Sequence, residues 1–333
     1  MKKHLKNKVR LVLHGIPYQS HSLFHSDWFK PLLDEHFILE NYDPEKHYEK
    51  DTVFIIGARH YWTPSIREQF QEYRVLVDAL WESYTGKYQK IWHGRFPNHT
   101  IMYGNYHPTE VDGAIFVPNW FWYNESLWYH SRNYHLEEPS RRYFKKFLLP
   151  IGHLRGWREE VLNACEPYLE DAYWSCIDRG QMLPFENQRP SKKMDYRYQD
   201  PRWYNDTCFS LVLESARSWE EAIVFITEKT WKPVSFRHPF IIVGQQGILK
   251  YLKSQGFETF DNMFDESYDD VSDFKTKLSI IMENITKYYK EPYSEETIRR
   301  INHNHELFYN QERVKQGLHD ELIAKIKNFV KEQ

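Results

Sequence analysis

Short runs of branched and aromatic residues, each stopping at a glycine, proline or acid, punctuate the first half of the chain. They are Arg10-Leu11-Val12-Leu13-His14-Gly15, Thr52-Val53-Phe54-Ile55-Ile56-Gly57, Tyr73-Arg74-Val75-Leu76-Val77-Asp78 and Gly113-Ala114-Ile115-Phe116-Val117-Pro118. Each reads as a strand with a loop at its end. Helix-like stretches lie between them. Phe24 to His36 places Trp28, Leu32 and Leu33 on one side, and Thr63-Pro64-Ser65 opens another helix with Thr63 as N-cap and Pro64 at the first helical position. Strands alternating with helices predict a parallel sheet with helices on both faces.

The second half repeats the pattern. Phe147 to Leu149 is a strand, Glu159 to Leu169 a helix and Tyr173 to Ile177 a strand. Residues 181–205 are polar and loop-like, with Pro184, Pro190 and Pro201. Ser210-Leu211-Val212-Leu213-Glu214 is a strand ending in a carboxylate. An apolar run from Ala222 to Ile226 then meets Thr227-Glu228-Lys229-Thr230-Trp231-Lys232-Pro233, and a further run, Pro239 to Val243, stops at Gly244. This reads as strand, helix, strand, with Glu228 and Lys229 at the carboxyl end of the first. Gln246 to Gln255, Lys275 to Lys290 and Thr297 to Val330 complete the pattern as helices with charged outer faces.

Length makes two domains the expectation: 333 residues exceed one comfortable core, and the 41% hydrophobic content is enough to fill two. The boundary falls near Ser140 to Pro150, giving residues 1–145 and 146–333. No apolar run approaches the ~20 residues of a membrane span. Met1-Lys2-Lys3-His4-Leu5-Lys6 leads into no apolar signal core, and Cys165, Cys176 and Cys208 are an odd number without metal-ligand spacing. The expected location is therefore cytoplasmic, the host cytoplasm if the chain is viral. Residues 1–150 carry 19 Lys and Arg against 17 Asp and Glu, and residues 151–333 carry 25 against 30. Neither half has the basic excess of a general nucleic-acid binder. Local clusters at Lys2 to Arg10 and at Arg141, Arg142, Lys145 and Lys146 are, by default, solvated faces.

The Glu-Lys segment carries the chemistry. A carboxylate at a strand's carboxyl end can accept from a pair of ribose hydroxyls. A neighbouring lysine can neutralise a pyrophosphate, and free helix N–H groups favour the same anion. A nucleotide-sugar site needs both groups. The plain alternative is a helix-surface ion pair between Glu228 and Lys232, contributing a few tenths of a kcal/mol. Other templates are missing from the sequence: Gly-x-Gly-x-x-Gly, the phosphate loop, the Gly-x-Ser-x-Gly elbow and His-Glu-x-x-His.

Thr227-Glu228-Lys229, followed by Pro239-Phe240-Ile241-Ile242-Val243-Gly244, resembles the donor-binding half of GT-B glycosyltransferases, in particular the α1,3-fucosyltransferase and exostosin-like groups. The similarity extends upstream to Ser210 to Glu214 and to Phe147-Leu148-Leu149-Pro150 with Arg155 and Arg158. Downstream it reaches Leu252 to Phe260 and Asp265 to Asp269. It covers residues 147–275 and is weak over the first 146. The resemblance implies an α/β fold of GT-B type, two Rossmann-like domains with mostly parallel sheets facing across a cleft. The acceptor side would be residues 1–145 and the nucleotide-sugar side 146–333.

It also implies a glycosyltransferase, hexosyl- or pentosyl-, that uses a UDP- or GDP-sugar as co-substrate and needs no cofactor. Glu228 would hold the ribose hydroxyls. Lys229 would face the departing phosphates, with Arg158 the second candidate and Arg155 the third, and Glu214 would touch the donor sugar, brace Lys229 or serve as an N-cap or structural residue. No Asp-x-Asp stands at a strand end. Its absence points to metal-independent transfer, in which lysine, arginine and helix dipoles stabilise the leaving group. A general base must come from the first domain, where Asp78, Glu82 and Glu125 are the acids at loop edges. Asp78 is preferred.

The acceptor is open. One candidate is a glycan hydroxyl. Another is a hydroxymethylated pyrimidine in DNA, as for phage-type DNA-modification enzymes, contacted by Arg141 to Lys146 and by the aromatic stretch Pro118 to Glu125. Trp and Tyr in that stretch are expected mainly in the core and at its margin. A degenerate GT-B domain that binds nucleotide or sugar without turnover is the third reading.

Overall fold

A computed structural model describes residues 8–14, 29–61, 63–80, 98–104, 114–154, 156–185, 197–215 and 224–331. Contacts divide the chain into two compact units, Met1–Trp128 with Gln311–Gln333, and Tyr129–Asn310. Among the described residues, no helix is long and apolar enough to cross a membrane.

The first unit holds β1 (Val9–His14), β2 (Phe37–Asn41), β3 (Val53–Gly57), β4 (Arg74–Ala79), β5 (His99–Tyr103) and β6 (Ile115–Phe116). They form one sheet in the order β2-β1-β3-β4-β5-β6, and every pairing is parallel. Val53 to Ile56 are fully buried, so β3 is covered on both faces, as parallel strands are. Phe54, Ile56, Val75 and Val77 pack on one face with Tyr48, Phe70 and Ile101. Asp78 pairs in register with Gly57, at the carboxyl end of the two central strands. The helix expected over Phe24 to His36 is described only as Lys30–His36; Trp28 lies outside the described residues. Thr63 stands at the N-cap of Pro64–Gln69, but its side chain makes no capping bond.

The last helical stretch returns to this unit. The Arg74 guanidinium donates to the Val330 carbonyl at 2.6 Å and lies over the Phe329 ring at 4.5 Å. Glu321 accepts from the Asn119 amide at 3.0 Å and from the Tyr123 hydroxyl at 2.7 Å. Trp120, Phe121, Trp122 and Tyr123 are all buried in the helix Trp120–His130. The aromatic run therefore fills a core, as most of it was expected to.

The second unit holds β7 (Lys145–Ile151), β8 (Ala172–Cys176), β9 (Thr207–Leu213) and β10 (Phe240–Val243), in the order β10-β9-β7-β8, again all parallel. Its chain begins well before the boundary expected at 145/146, for a physical reason. The Tyr129 hydroxyl donates to the Arg197 carbonyl at 3.0 Å. Arg141 donates to the carbonyls of Tyr204, Phe236 and Arg237. Arg142 pairs with Asp206 at 2.6 Å, and Lys145 and Lys146 donate to the carbonyls of Glu170 and Ile285. The basic cluster read as a solvated face or a DNA contact is thus used internally, holding the strand entrances. All three cysteines are buried and free of disulfides.

Two features differ from the sequence reading. The described part of the run Ala222 to Ile226, from Val224 onward, joins no strand of the sheet. Its backbone is satisfied by side chains instead: Phe225 N–H donates to Gln245 Oε1 at 3.2 Å and Thr227 N–H to Glu214 Oε1 at 3.1 Å. Residues 181–205 also end in a short helix, Pro201–Asn205, capped by the Asp200 carboxylate.

Candidate donor-phosphate site at the strand ends

All four strands of the second sheet end along one edge. β8 runs into Asp178, β7 into His153, β9 into Glu214 and β10 into Gly244. β9 and β10 stay paired one residue past β9, with Glu214 N–H donating to the Val243 carbonyl at 3.0 Å. Space is tight at 244. A Cβ there would stand 2.8 Å from Ile248 Cδ1 and 3.3 Å from Glu214 Cβ.

Glu214 is fully buried and its carboxylate collects four donors. Oε1 accepts from Thr227 N–H at 3.1 Å and from the Thr230 hydroxyl at 2.6 Å. Oε2 accepts from the Thr227 hydroxyl at 2.5 Å and from Ser215 N–H at 3.2 Å. Charge-assisted bonds of this kind are roughly twice as strong as neutral ones. Three of the four donors sit on Thr227 and Thr230, which open the helix Glu228–Ser235. The spacing of three residues puts both threonines on the same side of its first turn. Glu214 therefore fixes where this helix begins. All four bonds run to the strand end and the helix start, and none to Lys229 itself.

Lys229 stands on the braced turn. Its ammonium donates to Ser215 Oγ at 2.9 Å, to Thr227 Oγ1 at 3.2 Å and to Glu228 Oε1 at 2.7 Å. The Glu228 and Lys229 side chains are 17% and 27% exposed, enough for both to be reached from solvent. Burial alone would lift the Glu228 carboxyl, but Lys229 and Lys232 outweigh it and hold its pKa at about 2. Glu228 is ionised throughout the physiological range. Its ion-pair partner is the adjacent Lys229, with Lys232 adding to the field.

Arg158, in the helix Trp157–Cys165, is 8% exposed and joins the strand ends. One guanidinium nitrogen donates to the Glu214 carbonyl at 3.1 Å and another to the His153 carbonyl at 3.4 Å. Arg155 lies outside the described residues. The structure thus brings Thr227, Glu228, Lys229, Glu214 and Arg158 together.

Asp78 and Glu125 belong to the first unit. Asp78 is 8% exposed, and burial raises its pKa to about 6 against one weak bond from Leu80 N–H at 3.3 Å. Glu125, expected at a loop edge, instead lies fully buried in the helix Trp120–His130, where it accepts from the Asn124 side chain at 3.1 Å. That helix is apolar on every side, so its one acid is carried inside. Glu82 lies outside the described residues.

Sequence reasoning passed over Thr230, Ser215, Gln245 and Lys277. The repeat of threonine at 227 and 230 was the available signal. Lys277 carried none, being one lysine among several in the helix Phe274–Lys287, yet it is 1% exposed and donates to the Gly244 carbonyl at 3.0 Å. Burial lowers its pKa to about 8, partly offset by Asp269. A separate pocket of about 400 Å³, lined by Asp265, Lys287, Tyr289 and Ser294 among others, contains none of the expected site residues. It sits by the strand entrances, where the Tyr293 hydroxyl reaches the Cys208 carbonyl.

No protein-family profile and no curated protein matches the sequence. Solved structures do. The chain is similar to a crystal structure of α1,3-fucosyltransferase with a TM-score of 0.53 at 10% identity, over 100% of this chain and 93% of that one. The fold is of the GT-B type. The α1,3-fucosyltransferase structure with GDP matches at 0.51 and 10% identity over 99% and 92% of the two chains. The one with GDP-fucose matches at 0.50 and 10% identity over 97% and 90%.

Replacing Glu214 with Gln keeps its volume but turns an amide NH2 toward donors. We expect Glu214→Gln to lose about 2–3 kcal/mol of stability in urea unfolding. A change within 0.5 kcal/mol would mean that the carboxylate does not anchor the helix.

Proposed function

We propose that the chain is a glycosyltransferase moving a sugar from a GDP- or UDP-sugar to an acceptor hydroxyl. The observation that carries this is the braced helix start. It presents an ionised carboxylate and an ammonium side by side at the carboxyl edge of a parallel sheet. Both are partly exposed and held by groups that are themselves buried. An ion pair serving stability alone would need no such support. The similarity to α1,3-fucosyltransferase structures with GDP and GDP-fucose agrees with the reading.

In this reading Glu228 accepts from the two ribose hydroxyls and Lys229 neutralises the diphosphate. As the bond from the anomeric carbon to the phosphate oxygen breaks, its electron pair passes to the diphosphate. Lys229 and the dipole of the helix Glu228–Ser235 stabilise that charge more in the transition state than before it. Arg158 keeps the ends of β7 and β9 in place. Asp78 is the base for the acceptor hydroxyl, and its raised pKa suits the task, because a base with a pKa near the working pH both is ionised and holds a proton well.

The acceptor we favour is a glycan hydroxyl. The DNA-base reading leaned on Arg141 to Lys146, whose described side chains are engaged with carbonyls and Asp206. Binding to duplex DNA across a salt series separates the two, since a DNA enzyme loses affinity steeply as salt rises.

Lys229→Ala should abolish transfer while leaving the urea midpoint close to wild type, because it removes a partly exposed cation. Wild-type rates in the folded variant would sink the assignment. Activity should persist in excess EDTA, with Lys229 supplying the charge. Loss on chelation and recovery with manganese would contradict that.

The Asp78 carboxylate must be ionised to take a proton, so turnover should be half-maximal at about pH 6, rising to its plateau above and falling below. Asp78→Asn should remove this limb and lower kcat by about 100-fold or more, leaving nucleotide affinity unchanged. Normal turnover in Asp78→Asn would transfer the role to another acid.

A further inference from the structure

One titratable pair on the same sheet edge takes no part in anchoring Lys229. His153 follows β7 and Asp178 follows β8, and these strands are neighbours. His153 Nδ1 lies 2.8 Å from Asp178 Oδ1, while Asp178 Oδ2 accepts from Leu154 N–H at 2.6 Å. The bond from His153, then that from Leu154, holds the Asp178 carboxyl below its ordinary range. An exposed ion pair is usually mobile and contributes little. In this one a backbone amide of the histidine's own loop, Leu154 N–H, also holds the Asp178 carboxylate.

The pair is also wired to the helix start. Arg158 donates to the carbonyls of both His153 and Glu214. Arg158 thus ties the backbone at His153, which carries the pair with Asp178, to the backbone at Glu214, whose carboxylate holds the helix start. Arg158 is buried, with two of its nitrogens on carbonyls, whereas the His153 side chain is 61% exposed.

We infer that His153, oriented by Asp178, is a second contact for the donor diphosphate, on the same sheet edge as Lys229. This rests on the reading of that edge as a nucleotide-sugar site. When the ring carries both protons, Nδ1–H donates to Asp178 and Nε2–H is left to donate to a phosphate oxygen. During transfer the acceptor oxygen forms the new bond to the anomeric carbon and the old carbon–oxygen bond breaks. The electron pair stays on the diphosphate. His153 donates a hydrogen bond to that growing charge and keeps its proton.

The test is calorimetry on the full chain with GDP and guanosine, and with UDP and uridine as a second pair. Wild type should bind one diphosphate more tightly than its nucleoside. His153→Gln should weaken that diphosphate about five- to tenfold and leave the nucleoside unchanged. Asp178→Asn should lower diphosphate affinity in the same direction by less, because it frees the ring without removing it. Unchanged diphosphate affinity in His153→Gln overturns the inference. So does an equal loss for nucleoside and diphosphate, which is what a merely structural disturbance gives. Wild-type protein that binds neither diphosphate overturns the donor-site reading itself.

Discussion

One buried carboxylate governs the chemistry-bearing edge of this protein. Glu214 has no exposure to water, and four donors converge on its carboxylate. Those donors come from Ser215, the next residue, and from the first turn of the helix Glu228–Ser235. The bond set closes a loop between a strand end and a helix start, and Lys229 inherits its position from that closure through Ser215 and Thr227. Remove the carboxylate and the lysine has no fixed place to stand.

The parallel topology makes such an arrangement available. Every strand of the second sheet delivers its following residue to the same edge, so four loops distant in sequence meet in one strip. Burial on both faces fixes the strands and leaves the edge free to carry charge. The site then needs internal braces, and Arg158 and Lys277 supply them by donating to strand-end carbonyls. These two buried cations build the platform, while the partly exposed Lys229 and His153 stand on it.

Much of this was legible in the chain. The runs at Val53–Gly57 and Arg74–Ala79 became strands because unbroken branched residues suit a sheet covered on both sides. The acid at 214 and the pair at 228 and 229 were found because they sit where apolar runs stop. What failed were inferences that needed partners far away in sequence. Val224 to Thr227 looks like a strand, but Gln245 and Glu214, 20 and 13 residues off, satisfy its amides and hold it out of the sheet. Arg141 to Lys146 looks like a solvated patch because its carbonyl acceptors, as far as residue 285, leave no local trace. Glu125 was misplaced for a related reason. In a helix surrounded by aromatics, periodicity cannot show which side is solvent.

Amide hydrogen exchange, with and without saturating GDP or UDP, addresses the central claim that the braced helix start receives the donor diphosphate. The account predicts added protection concentrated in residues 227–232 and in the amides just after β9, where the anion would sit against the first turn. Protection confined to other segments, with exchange at 227–232 unaltered by a bound nucleotide, would contradict it.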